Sequence, residues 1–270
     1  DFCLSRGLGD VYKRQQLQPW VSAFFWPFCR FLGFFMSDPI LGHKNISNQV
    51  KVGLAALLAF LIAPNLPPLP PIALFSWAGF GVIVEQLLIG LSLGMVMRIT
   101  LAVVEMAGEI CGMQMGLAFA SFFSADSNTN SQVLSRFLGL VTILMFLALD
   151  GHLMVLELLA STFERLPIGH FGFNPQAWNA MARHGGTIFL TGLLLALPMV
   201  GALLIINLAM GILNRVAPQL TVFSVGFPAT LFVGMLLLTA LMGDLGQFLE
   251  GLLDQALRFM GLYIEALGKS

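Results

Sequence analysis

The sequence predicts an all-α membrane protein: bent and broken helical hairpins first, then a plain hairpin, then an amphipathic C-terminal helix. Three observations predict it. Hydrophobic residues make up 57% of the chain and charged residues 10%, with a mean hydropathy of +0.87. A soluble domain carries about 25% charged residues, so this chain cannot cover itself with polar surface. Several apolar stretches also reach the roughly 20 residues that cross a hydrocarbon layer. Finally, the tail repeats its apolar residues at helical spacing.

Composition also excludes classes. The formal net charge is −1, and Lys and Arg are scattered, so no basic stripe suggests nucleic acid. Cys29 and Cys111 lie far apart and give no disulfide or metal framework. No motif for hydrolysis, nucleotide binding or metal ligation is present, and the expectation is a non-enzymatic protein without cofactors. Ser5–Gln15, SRGLGDVYKRQ, looks like the in-frame translation of a sequencing-library adapter. The expectation is that residues 1–15 are a scar and that the native start lies outside this sequence.

The elements follow in order. Trp20–Met36 is apolar, interrupted by Pro27, Arg30 and Gly33. After the polar connector Ser37–Lys51, Val52–Ala63 forms a short segment that stops at PNLPPLPP, Pro64–Pro71, where repeated prolines fix an extended turn. Ile72–Met106 is too long for one span, and its glycines (Gly79, Gly81, Gly90, Gly94) predict a bend or split. CGMQMGLAFASFF then runs into the polar loop Ser124–Gln132. Val133–Ala160 is apolar again, with a turn at Asp150-Gly151-His152. Arg165–Gly186 reads as a polar connector. Thr187–Leu213 and Leu220–Met242, free of charge and joined by Asn214–Gln219, read as a hairpin. Asp244–Leu267 is an amphipathic helix suited to a membrane or a partner helix. A seam near Gly186 divides residues 16–186 from the hairpin, 187–243, and the tail, 244–270.

Glu85, Arg98, Glu105, Glu109, Arg136, Asp150 and Glu157 fall in apolar surroundings. An ionised group at a bilayer centre costs roughly 2.5–3.5 kcal/mol on insertion scales. Glu105 and Glu109 share one helix face and want a cation, for which Arg98 or Arg136 could serve. A proton pathway is the functional alternative. Structural ion pairing in a subunit that packs against others is preferred, because the histidines are scattered and mostly in connectors.

ILGHKNISNQVKVGLAALLAFLIAPNLP (Ile40–Pro67), EQLLIGLSLGMVMRI (Glu85–Ile99), AGEICGMQMGLAFASFF (Ala107–Phe123), the LDGH of Leu149–His152 and NLAMGILNRVAPQLTVFSVGFPATLFVG (Asn207–Gly234) together resemble the FliR/SctR family, the R subunits of type III export gates. The resemblance is collinear from about Gln16 onward and looks more flagellar than injectisome-like. It implies a structural and gating subunit of the flagellar export gate in the bacterial inner membrane, within the basal body. The implied partners are the P and Q subunits (FliP, FliQ), the B and A subunits (FlhB, FlhA) and unfolded protein cargo. Residues 16–186 would be the P-like part and 187–243 the Q-like hairpin. The buried-charge and inter-subunit set would be Glu85, Arg98, Glu105, Glu109, Arg136 and Asp150. A plug would fall in Ile110–Phe123, with Gly112 and Gly116 as bending points, Met113 and Met115 as adaptable contacts, and Phe119, Phe122 and Phe123 as sealing bulk. Asn214, Arg215, Pro218 and Gln219 would lie at the cytoplasmic entrance. The rival readings are an injectisome R subunit and a solitary secondary transporter binding its coupling ion at Glu85, Glu105 and Glu109.

Overall fold

The computed structural model describes residues 2–70, 72–74, 76–117, 133–169, 174–216 and 225–268, with only the helical backbone for 2–19. Among these residues all regular structure is helical. The elements are α1 (Phe2–Ser37), α2 (Asn48–Ile62) with a 3-10 turn (Ala63–Asn65), α3 (Trp77–Gln114), α4 (Val133–Ala148), α5 (Gly151–Arg165), α6 (Pro175–His184), α7 (Thr187–Val216) and α8 (Phe227–Gly268). Among the described residues, four helical stretches are long and apolar enough to cross a membrane: Asn48–Asn65, Trp77–Gln114, Pro175–Val216 and Phe227–Gly268. Counting α4 and α5 as one broken span raises the total to five.

Local chemistry sets the helix ends. Ser47 Oγ accepts from Gln49 N at 3.2 Å, Ser76 Oγ from Gly79 N at 3.0 Å, and Asn174 Oδ1 from Gln176 N at 2.9 Å. These side chains satisfy donors that the first helical turn leaves open. Pro175 occupies the first position of α6, where its missing N–H costs nothing. Asp150, at φ 54°, stops α4; short polar side chains tolerate this left-handed conformation better than most. Gly151 then lies against the Phe146 ring.

The structure differs from the sequence reading in four elements. Ile72–Met106 is not split into two helices: from Trp77 it belongs to a single helix, α3, that runs through Gln114. Two of its glycines serve contact: a Cβ at Gly90 would collide with the Arg30 carbonyl, and one at Gly94 with Ser37 Oγ. Opposite them, Gly33 lies against the Leu87 carbonyl. The connector Arg165–Gly186 contains α6, whose Ala177 and Met181 are buried. The proline stretch begins with a 3-10 turn before it extends. The second hairpin arm and the tail form one helix, α8, since Gly243 alone costs only about 1 kcal/mol against Ala and no proline interrupts it.

The chain divides into two compact units, each assembled from separate stretches. The first comprises Asp1–Arg98, Leu153–Ala182 and Ala256–Ser270; the second comprises Ile99–His152 and Arg183–Gln255. In the first unit, α1 packs on α3, and the end of α8 buries Ala256, Met260, Tyr263, Ile264 and Leu267. That part of the amphipathic tail thus packs within its own chain. Tyr263 meets Trp178 edge-on at 6.3 Å between ring centroids, and Asn174 Nδ2 donates to the Ala266 carbonyl at 2.8 Å. In the second unit the core joins Val104, Ala107, Cys111 and Met115 of α3 and its end to Leu134 and Leu138 of α4, Leu195 to Leu203 of α7, and Leu238 and Leu245 of α8. Gly192 gives α7 its close approach to the Val103 carbonyl.

Gly90→Val should lower the stability of the purified chain by about 1–3 kcal/mol or more, the range for overpacked interiors. Gly211→Ala, where an added Cβ meets nothing within 4 Å, should be neutral or stabilise by about 0.5–1 kcal/mol. Thermal unfolding in detergent measures both.

Candidate functional site

Three places in the fold carry polar or special chemistry. The first is in the first unit, where Arg30 of α1 is 0% exposed. Its Nε donates to Gln86 Oε1 at 2.7 Å, Nη1 to Thr162 Oγ1 at 2.8 Å, and Nη2 to the Leu166 carbonyl at 3.1 Å. The Phe163 ring covers the guanidinium at 4.2 Å. Both neighbours are used at both ends. Gln86 Nε2 donates to Glu85 Oε1 at 3.0 Å, and Thr162 Oγ1 donates to the Leu159 carbonyl at 2.7 Å. Burial pushes the Arg30 pKa down to about 9 while Glu85 opposes the shift, so the side chain is cationic at neutral pH. A cation beside the C-terminal end of α5 also meets the favourable end of that helix dipole.

In the sequence Arg30 reads only as an interruption of an apolar run. The signal was nevertheless present. An arginine among Phe24, Phe25, Trp26, Phe31, Phe34 and Phe35 has no charged neighbour in sequence, and a buried charge must be paired.

The second place is the end of α3 in the second unit. Gly116 has φ 80°; Leu117 N donates to the Gly112 carbonyl at 3.0 Å and Gly116 N to the Met113 carbonyl at 3.0 Å. This is a Schellman cap, which needs a left-handed residue at this position. Gly112 itself is helical and buried. Met115 is 1% exposed, whereas Met113 is 51% exposed. Met115 lies against Gly234, and its carbonyl accepts from Thr230 Oγ1 at 3.5 Å. Met115 is therefore core of this unit, and Met113 is the surface residue. Phe119, Phe122 and Phe123 lie outside the described residues.

The third place is the set of charges on apolar helices. None of the six is buried within the chain: Arg98, Glu105, Arg136 and Asp150 are exposed, and Glu85 and Glu109 half-buried. Glu105 is brought to α4, where Ser135 Oγ donates to its carbonyl at 2.9 Å and Gly139 lies against its side chain. Arg136 sits between those two contact positions. Asn214 and Arg215 are exposed at the end of α7, with Arg215 in its last turn. Pro218 and Gln219 lie outside the described residues. Among the described residues, no group of three or more His, Cys, Asp or Glu is placed to hold a metal ion.

Long apolar helices with large exposed faces define a helical membrane protein. A sequence profile of the family described as "Bacterial export proteins, family 1" matches residues 21–256, and the chain belongs to that family. It is 46% identical over 251 residues to the "Flagellar biosynthetic protein FliR" of Pectobacterium carotovorum subsp. carotovorum, covering 93% of this chain and 96% of that protein. It is 42% identical over 253 residues to the protein so named in Escherichia coli (strain K12), covering 94% and 97%. With that of Bacillus subtilis (strain 168) it shares 26% over 227 residues, 82% and 86% of the two chains.

Met115→Ala should cost about 2–5 kcal/mol of stability, as large-to-small core changes do. Met113→Ala should stay within about 0.5 kcal/mol. Chemical denaturation of both variants in detergent gives the comparison.

Proposed function

We propose that this chain is a structural and gating subunit of the flagellar protein-export apparatus, and that it helps to form and close the passage for unfolded flagellar proteins. The observation that carries this reading is the collinear similarity to flagellar biosynthetic FliR proteins over 93% of this chain and 96% of the relative. A solitary transporter and an injectisome subunit are not favoured, since the relatives described above carry the flagellar name. The subunit sits in the bacterial inner membrane within the basal body. Its neighbours are the P and Q subunits (FliP, FliQ), the B and A subunits (FlhB, FlhA) and the exported chain itself.

The exposed charges support neighbours of this kind. Arg98 and Glu109 lie on α3, an apolar helix long enough to cross a membrane. Facing lipid they would be expensive; facing polar groups of sister subunits they are paired. The uncharged exposed face of α7, including Leu190, Leu194, Leu197, Leu204 and Ile205, suits lipid or an apolar helix such as that of a Q subunit. The end of α3 leads into the plug. Met115 and the Gly116 cap anchor its base, while Met113, Phe119, Phe122 and Phe123 supply adaptable apolar bulk that can close on water and yield to a passing chain. Asn214, Arg215, Pro218 and Gln219 mark the cytoplasmic entrance, where a basic residue agrees with the positive-inside bias.

Expressed in a flagellated bacterium lacking its own FliR, the chain should restore swimming. A chain that reaches the membrane in normal amounts without restoring motility would contradict the reading. Replacing Phe119, Phe122 and Phe123 together by Ala should raise the ion permeability of cells carrying the assembled gate; unchanged permeability with normal assembly would remove the plug from this segment.

A further inference from the structure

The Arg30 cluster contains more than a packed cation. Gln86 and Thr162 are both fully buried, and each uses its donor and acceptor ends in a fixed direction. Read from one side, the order is Glu85 carboxylate, Gln86 amide, Arg30 guanidinium, Thr162 hydroxyl and Leu159 carbonyl, with a branch to the Leu166 carbonyl. The Glu85 end is half-buried, whereas every side chain further along is buried. The far end holds the last turn of α5, where Leu166 N donates to the Thr162 carbonyl at 2.9 Å.

We propose that Glu85 is the counterion of Arg30, relayed through the Gln86 amide, and that its negative charge keeps the end of α5 locked in place. The chemistry requires both parts. A buried cation without a compensating charge is strongly destabilising, and hydrogen bonds to neutral amide and hydroxyl groups do not supply that charge. Gln86 fixes the geometry: with its oxygen accepting from Arg30, its nitrogen is turned to the other side, where the Glu85 carboxylate accepts from it. If Glu85 is neutralised, the amide loses the charge that orients it and Arg30 loses its counterion. The loosened contacts are then at Thr162 on α5 and at Leu166 just beyond its end, neither of which meets Glu85 in a hydrogen bond described above. The half-buried carboxylate therefore gives the surface of the first unit a handle on α5: a cation placed against Glu85 would compete with Arg30 for it.

Hydrogen exchange of the full chain, purified in detergent without partner subunits, tests this. Glu85→Gln should raise exchange of the amides of residues 159–166 and 168 by roughly tenfold, while Glu85→Asp, which keeps the charge, should raise it far less. Gln86→Leu should reproduce the Glu85→Gln effect. Amides of Leu195–Leu203 in α7 serve as a control for global unfolding and should be unchanged in all three. If Glu85→Gln leaves residues 159–166 and 168 at the wild-type rate while Arg30→Lys accelerates them, Glu85 is not the counterion. An equal rise throughout the molecule, α7 included, would likewise overturn the local lock.

Discussion

A charge buried among apolar helices needs well-aimed hydrogen-bond partners and an opposite charge nearby, and this chain places its charges in two ways. Arg30 is satisfied internally. Three of its donors are used on α3, on α5 and just beyond the end of α5, and an aromatic ring covers its face. A guanidinium suits the place because its planar fork reaches several acceptors at once, which a lysine ammonium on a flexible stem does not. The first unit is built around that side chain, with sequence-distant segments held to one buried group.

The remaining charges are arranged differently. Arg98, Glu105 and Arg136 stay exposed on helices that expose mainly apolar side chains, and Asp150 at the turn between α4 and α5. The same contrast holds between whole stretches: 67% of the most apolar window of Trp77–Gln114 is buried inside the chain, against 28% for Pro175–Val216. One helix is thus largely an interior element and the other largely a surface for something else. Membership of a family of export proteins is compatible with both, because subunits of one apparatus can share apolar and polar surface across their boundaries.

Much of the helical plan was legible in the sequence. Hydrophobic runs and their polar ends place α2, α4, α7 and the C-terminal amphipathic pattern, and the break at Asp150 follows from its short polar side chain and the glycine after it. What was not legible depended on distant neighbours. Gly90 and Gly94 carry the same local signal whether they bend a helix or admit another one, and only the backbone of α1 against them decides for contact. The continuity of α8 through Gly243 was hidden for a related reason, since the periodic pattern changes there from all-apolar to amphipathic without any change of backbone. Arg30 shows the same limit. Its need for partners can be read from its apolar surroundings, but Gln86, Thr162 and Leu166 lie far away in sequence, and no spacing rule reaches them. Met113 and Met115 could not be separated by composition; the Gly116 cap, which turns the chain after α3, puts one in the core and the other on the surface.

The proposed function puts sister subunits over the second unit where Glu105, Arg136 and Asp150 are exposed. A photo-crosslinking phenylalanine analogue in place of Phe137, which is exposed beside Arg136 on α4, tests it in cells that assemble the export apparatus. The account predicts adducts with another membrane protein of that apparatus. Adducts with lipid alone, in cells where export remains intact, would contradict it.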